Sequence, residues 1–178
     1  WPAADSPGDI VDQLGVRGRM MRDLARLGMP VPAGFTVSDL ACRRFLGTGE
    51  LPVEAWDEIV AASRRVADEA TDAGRPLLMA VRSSPPLPMP GVLSHSLYLG
   101  MTPRRHDELA SWASPEFAVA SRIGFLAGLA GLRRVPPHLL DAVAVDPDAM
   151  ERVIVEESQR AVPTDALGQL REAIEAVF

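Results

Sequence analysis

The sequence predicts an α/β (α+β) fold, in which a small mixed sheet is flanked by helices and accompanied by a helical subdomain. Two short apolar segments, 77–81 and 92–99, are predicted strands on either side of a proline-rich loop. Most of the remaining chain carries apolar residues at helical spacing, with Ser, Asp or Pro at several helix starts. We therefore predict a sheet-containing subdomain over residues 1–102 and 161–178, and a helical subdomain over residues 103–160.

Length and composition limit the class of protein. The chain has 178 residues, 47% of them apolar, which fits one domain with a small subdomain. Its net charge of −6 argues against nucleic-acid binding, which depends on cationic patches. All 18 basic residues are arginine, so a lysine nucleophile or Schiff base is excluded. No apolar run reaches membrane length and no signal peptide is visible, so we expect a cytoplasmic protein without a membrane partner.

Three helices and one strand are predicted in the N-terminal part. The first helix opens at residues 15–18 and is expected to bury a face formed by Met20, Met21, Leu24 and Leu27. Residues 35–37 are a predicted strand, and Ser38 is the expected N-cap of the second helix. Pro52 begins a long third helix that runs to about Thr71.

Residues 77–100 contain the pattern around which the chain is organised. The first apolar strand ends on Arg82, which places one cation at the end of a strand. Four of the six residues in the loop 85–90 are prolines, so the loop is a stiff connector with few backbone donors. Gly91 then permits a sharp bend or a close backbone approach. Arg82 is one candidate for contact with a phosphate. Arg17 is the other, because helix N-termini attract anions through their amides and dipole.

Helix-start signals dominate the C-terminal half. Ser114 precedes a proline at the start of a helix that runs to about Leu132, and Asp146 precedes another proline. Thr164 is the expected cap of the last helix, which should bury a face formed by Leu167, Leu170, Ile174 and Val177.

Other groups of residues carry weaker signals. Ser94, His95 and Ser96 offer a potential nucleophile and base, but they lack a nucleophile-elbow sequence, which favours a structural histidine. Cys42 has no cysteine to pair with in this chain, and is a predicted core residue. The proline-rich loop could bind a protein partner as a polyproline ligand, although its position between two strands favours a structural role. We assign no catalytic residue and no metal ligand.

Several segments resemble the family of pyruvate, phosphate dikinases and phosphoenolpyruvate synthases, the dikinases more closely. The motifs LGMPVPAGFTV, VRS, MPG, LYLG and QLREAIEAVF are similar to the family patterns LGLPVPPGFTI, VRSGA, SMPG, NLGL and EQLxxAIEAVF, and they occupy residues 27–37, 81–83, 89–91, 97–100 and 169–178. The family's GGKG motif corresponds to residues 15–18, where Val16 and Arg17 replace a glycine and a lysine.

This resemblance implies the first part of an ATP-grasp-like nucleotide-binding domain. The family moves the β-phosphate of ATP to a histidine and on to pyruvate, which implies ATP and Mg²⁺ as cofactors. Arg17, Arg82 and Gly91 would bind the nucleotide, with both arginines facing one cleft. The phosphohistidine, the metal-binding acids and the C-terminal half of the ATP-binding domain would lie outside this chain, in cis or in trans.

A degenerate, non-catalytic binding or interaction module is the alternative. Such a module would keep the fold and lose the ATP chemistry. Ser94 stands where the family pattern MPGMMDT has its aspartate, and no predicted strand carries an acid that could hold magnesium. Whether the chain acts as part of an enzyme is therefore left open by the sequence.

Overall fold

A computed structural model describes residues 13–72, 74–85 and 95–178. The predicted α+β class is confirmed, because the described residues are mostly helical and include one small antiparallel sheet. In chain order the elements are α1 Gly15–Arg26, α2 Asp39–Thr48, α3 Val53–Asp72, β1 Met79–Arg82, β2 His95–Leu99, α4 Pro103–Trp112, α5 Pro115–Leu132, α6 Pro137–Asp141, α7 Pro147–Ser158 and α8 Ala166–Val177. None of the helices in these ranges combines the length and apolar character that a membrane span requires.

The described residues fall into two compact units. The first unit contains α1, α2, α3 and residues 83–85, and the second contains both strands with helices α4 to α8. In the second unit α5 packs directly against β2. The predicted division into a sheet-containing subdomain, 1–102 with 161–178, and a helical subdomain, 103–160, stays a prediction.

The two strands of the second unit form an antiparallel pair. Val81 lies opposite Ser96 and Arg82 opposite His95, with a register shift between Met79 and Val81. The sheet packs against α5 and α8, and α4 and α7 pack on α5. This unit has an apolar core in which each fully buried large side chain contributes about 1.5–3 kcal/mol. Its members include Leu99, Leu109, Phe125, Leu126, Ile154, Leu170 and Ile174.

Glycines on α5 allow β2 to approach this helix closely. Tyr98 has a φ of +59°, a left-handed conformation that a side chain with a Cβ adopts only at a cost of roughly 1–2 kcal/mol. A Cβ at Gly124 would lie 2.5 Å from Cε2 of the Tyr98 ring, so the ring occupies the space that this glycine leaves. A Cβ at Gly128 would lie 3.3 Å from Ser96 Oγ. The Tyr98 contact therefore needs glycine at position 124, and a Cβ at Gly128 would fit tightly against Ser96.

A buried ion pair joins α8 to the C-terminal end of α5. The Arg133 side chain is 2% exposed and donates to both carboxylate oxygens of Glu172, at 2.9 and 3.0 Å. It also donates to Ser158 Oγ and to the carbonyls of Arg160 and Ala161. The guanidinium therefore joins the ends of α5 and α7 to α8 through five hydrogen bonds.

The first helix corrects a prediction about burial. The expected apolar face of α1 is only partly buried: Met20 is 48% and Leu27 77% exposed, while Met21 and Leu24 are half-buried. The buried residues of α1 are Gly15, Gly18 and Arg22. Ser84 lies close to Gly15 and Thr36 lies close to Gly18. This face of the helix is therefore buried without large apolar side chains.

Residues 35–37 do not form the predicted strand. This segment makes no strand pairing within the described chain, and it runs instead beside α1. A Cβ at Gly18 would lie 3.0 Å from Thr36 Oγ1, so the segment contacts the bare backbone of the helix. The short run of Phe, Thr and Val has strand propensity, but here the contact with α1 determines its conformation.

Several helix caps agree with the sequence and two differ. Ser114 Oγ accepts from Phe117 N at 3.2 Å, and Asp146 Oδ1 accepts from two amides of α7, both as predicted. Ser38 makes no side-chain cap bond. Thr164 is not the cap of the last helix, because Asp165 Oδ1 accepts from the Gly168 amide at 2.8 Å. A carboxylate accepts more strongly than a hydroxyl, which explains the shift by one residue.

We expect Gly124→Ala to lower the free energy of unfolding by about 1–3 kcal/mol, because the new methyl group overlaps the Tyr98 ring. Urea denaturation measures this loss. Gly131→Ala is the matched control on the same helix, since a Cβ there meets nothing within 4 Å. It should be neutral or stabilise by up to about 1 kcal/mol.

A double-mutant cycle then assigns the loss to this ring. In the Tyr98→Asn background, Gly124→Ala should cost clearly less than in the natural chain. An equal loss in both backgrounds would contradict the proposed packing of Tyr98 on Gly124.

Candidate functional site

The N-terminus of α1 is held by the segment that follows β1. Gly18 N donates to Ser84 Oγ at 3.1 Å, and the same hydroxyl donates to Leu14 O at 2.9 Å. Val16 N donates to Pro85 O at 3.1 Å. Two amides that the glycine-flanked motif was expected to offer to a phosphate are therefore already hydrogen bonded. A phosphate could use them only if residues 84–85 moved.

Gly15 makes this arrangement possible. Its φ is +65°, in the region that favours glycine, and a Cβ would lie 1.7 Å from Ser84 O. The backbone of residue 84 therefore reaches α1 at a distance that no other residue type at position 15 would allow. This contact fixes the start of α1 and, with it, the position of Arg17.

Arg17 is exposed on α1, and its Nε donates to Ser83 O at 3.3 Å. Its other N–H groups make no hydrogen bond within the described residues. A guanidinium held at one nitrogen can still offer its remaining donors to an anion. The described residues therefore leave the Arg17 side chain able to contact an anion, and its contact with a phosphate stays a prediction.

Arg82 lies at the end of β1, as expected, and its side chain is exposed. Within the described part of the chain it makes no hydrogen bond and no ion pair. His95 is its partner across the sheet, so no acid lies opposite it in the register. As far as the described ranges extend, this exposed cation at a strand end is free to contact an anionic ligand.

The three predicted site residues cannot all be compared. Gly91, like most of the proline-rich loop and Ser94, lies outside the described residues. Arg17 belongs to the first unit and Arg82 to the second, so a shared cleft stays a prediction.

The described residues offer no metal centre. No group of three or more His, Cys, Asp or Glu side chains in the described ranges could hold a metal ion. Two acids on α7 are already paired with an arginine. Arg122 pairs with Asp148 at 2.8 Å and Glu151 at 2.9 Å, in an open depression between α5 and α7. Opposite charges neutralise each other there, which makes this depression a poor site for a free cation.

Nucleophilic chemistry finds little support among the described side chains. Ser96 is fully buried against α5 while His95 is exposed, and neighbouring strand residues point to opposite faces. Cys42 is half-buried and not a core residue. Burial raises the pKa of its thiol, Asp39 adds to this rise and Arg43 opposes it, so the reactive thiolate is disfavoured.

Sequence reasoning missed one unusual side chain, Arg22. It lies on the same face of α1 as Gly15 and Gly18 and is only 8% exposed. The spacing of these three residues, at i, i+3 and i+7, was a readable signal for one shared helix face. The sequence analysis searched for an apolar buried face and therefore did not consider this one.

Fold and site together define an α+β segment that presents exposed arginines at the ends of regular elements. No family model matches the chain. It is 32% identical over 96% of its length to the chloroplastic pyruvate, phosphate dikinase of Flaveria pringlei, and 34% identical over 77% to pyruvate, phosphate dikinase 2 of Oryza sativa. It is 38% identical over 64% to the chloroplastic pyruvate, phosphate dikinase 1 of Zea mays.

The chain belongs to the pyruvate, phosphate dikinase family. Its matched regions cover 21%, 16% and 12% of those three relatives. The chain thus spans about one fifth of the length of the first of them. The similarity extends over nearly the whole chain and includes both units.

We expect Gly15→Ala to destabilise the chain more than Gly28→Ala. Both glycines have positive φ, so each alanine carries a backbone cost of roughly 1–2 kcal/mol. Only the Gly15 variant also drives a methyl group into Ser84 O, because nothing lies within 4 Å of a Cβ at Gly28. Urea denaturation of both variants tests this difference. Equal losses would mean that residue 84 does not contact α1 as described.

Proposed function

We propose that this chain forms the first part of the ATP-binding domain of a pyruvate, phosphate dikinase-like phosphotransferase. The similarity to dikinases over 96% of the chain supports this assignment. The observation that carries it is Arg82, an exposed cation at the end of a strand with no ion pair among the described residues, at the position of the VRS motif.

Arg82 would bind a phosphate of the nucleotide through its planar fork of donors. A guanidinium matches two oxygens of a phosphate at once, which gives both charge and orientation. Arg17 would supply a second cation, with its Nε held by Ser83 O. Gly91 would let the loop backbone approach the nucleotide. None of these residues would act as a catalytic acid or base.

The described residues fit phosphate groups better than they fit a magnesium ion. Mg²⁺ prefers carboxylate and phosphate oxygens in octahedral geometry, and no suitable acidic group lies within the described ranges. The magnesium ligands of an active dikinase would therefore come from elsewhere in the protein. The phosphoryl-accepting histidine and the pyruvate site would also lie in the four fifths of the relatives that this chain does not match.

A non-catalytic module of the same fold is the second candidate. One specific observation favours it: the Gly18 and Val16 amides bond to Ser84 and Pro85, which follow the arginine motif. Ser84 and Pro85 stand where the family pattern VRSGA has glycine and alanine. In such a module residues 15–18 would bind residues 84–85 of the same chain, and their backbone amides would not be open to a phosphate.

Partners and location form part of the proposal. The missing C-terminal half of the ATP-binding domain, in cis or in trans, would cover the nucleotide on its other side. A cytoplasmic location is proposed for this chain, whereas the names of several plant relatives place them in the chloroplast.

We expect Arg82→Ala to weaken Mg-ATP binding by about 1.5–3 kcal/mol, roughly 10- to 150-fold, because one charge-assisted contact is lost. NMR titration is suitable, since an open site leaves phosphates in water and binding by this chain should be weak. Arg75→Ala is the charge-matched control, because Arg75 is also exposed and precedes the same strand. Equal affinities of the two variants would assign Arg82 to structure.

Phosphoryl transfer by this chain alone is not expected. The reaction requires metal ions and fixed charges that hold the phosphates in line, and Arg17 and Arg82 alone would not supply them. An isotope-exchange assay between ATP and AMP or ADP measures it. Exchange above the level without protein, together with micromolar binding, would show that this chain contains a complete site.

A further inference from the structure

The outward face of the two-stranded sheet carries two basic side chains next to each other. Arg82 of β1 and His95 of β2 are directly opposite in the antiparallel register. Both side chains are exposed, whereas Ser96, on the other face of β2, is completely buried beside α5. Opposite residues on one face of an antiparallel pair have Cβ atoms about 4.5–5.5 Å apart. One small ligand can therefore contact both side chains at once.

The sequence around this pair of side chains is basic. Residues 73–106 contain four arginines, two histidines and no Asp or Glu, in a chain whose net charge is −6. In the described ranges, neither the Arg82 nor the His95 side chain makes a hydrogen bond or an ion pair. Two like charges directly opposite each other on a sheet are unfavourable. An anion between the two side chains removes this repulsion, which an apolar or cationic ligand would not do.

The donors of the two side chains match a phosphate group better than a carboxylate. The Arg82 guanidinium can donate in parallel to two oxygens of one ligand. An imidazole N–H of His95 adds a donor from the neighbouring strand. A carboxylate has only two oxygens, which the guanidinium alone would occupy. A terminal phosphate group has a third oxygen, to which His95 can donate.

We propose that His95 is a second phosphate-binding residue, and that it holds one phosphate group together with Arg82. This inference rests on the proposed phosphate contact of Arg82 and adds to it a residue from the opposite strand. The phosphate group can belong to inorganic phosphate, to pyrophosphate or to a nucleotide. Its contact with these two side chains requires neither magnesium nor an adenine base.

Substitution of His95 tests its contact with the ligand. His95→Val removes both ring nitrogens and keeps strand propensity. It should weaken pyrophosphate binding roughly 3- to 30-fold, because one hydrogen bond to a charged group is lost. NMR titration measures this loss, since an exposed site should bind weakly. His138→Val is the matched control, an exposed histidine outside the sheet, and it should keep the natural affinity.

A conservative replacement separates ligand binding from a structural role. His95→Lys keeps an N–H donor and carries a full positive charge, so it should bind pyrophosphate at least as tightly as the natural chain. The ring resonances of His95 in the natural chain should also shift as pyrophosphate is added. Affinity in His95→Lys as low as in His95→Val, without such a shift, would overturn the proposed contact.

A double-mutant cycle tests whether the two side chains share one ligand. Because each contact helps to position the phosphate for the other, Arg82→Ala combined with His95→Val should lose less affinity than the product of the two single effects. Single effects that multiply would indicate separate contacts and would overturn the shared site. Parallel titrations with inorganic phosphate, pyrophosphate and Mg-ATP identify the source of the phosphate group.

The same variants separate this proposal from the nucleotide contact of Arg82. If Arg82→Ala binds Mg-ATP and pyrophosphate more weakly while His95→Val keeps full affinity for both, the role of His95 is wrong and that of Arg82 stands. If both variants keep full affinity, or the natural chain binds neither ligand, both proposals are wrong.

Discussion

The two-stranded sheet depends on its close packing against α5. An isolated pair of strands is marginal in water, because too little apolar surface is buried between them. Here α5 brings backbone at Gly124 and Gly128 to β2, and α8 covers the same sheet. The left-handed conformation of Tyr98 is tolerated because its ring fills the space above Gly124. A locally strained strand is therefore stabilised by a helix that lacks side chains at two positions.

The sequence predicted most elements of the fold because their signals are local. Ser-Pro and Asp-Pro starts identify α5 and α7, and apolar spacing identifies α3 and α8. The errors come from contacts between distant segments. Residues 35–37 have strand propensity and lack a strand partner, and the last helix is capped by Asp165 and not by Thr164. Periodicity also suggested an apolar buried face for α1, because it could not show the approach of Ser84 to Gly15.

Prediction of the candidate site had the same limit. Motif similarity identified Arg17 and Arg82, and the structure leaves both side chains exposed. Motif similarity gave no indication that Ser84 and Pro85 would accept hydrogen bonds from the amides of α1, because these bonds join segments about 70 residues apart. Arg22 was overlooked for a related reason. Arginine is rarely buried to this extent, so composition and spacing assign such a residue to the surface.

The hydrogen bonds of Gln169 have a consequence for how the second unit forms during synthesis. Its side-chain oxygen accepts from Gly100 N at 2.8 Å, and its amide donates to the carbonyls of Met101 and Pro163. The first of these bonds joins residues 69 positions apart. The end of β2 therefore acquires its buried partner only after α8 has left the ribosome. Until then the antiparallel strand pair and α5 lack the helix that completes their core, and a nascent chain in this state is open to chaperones and proteases.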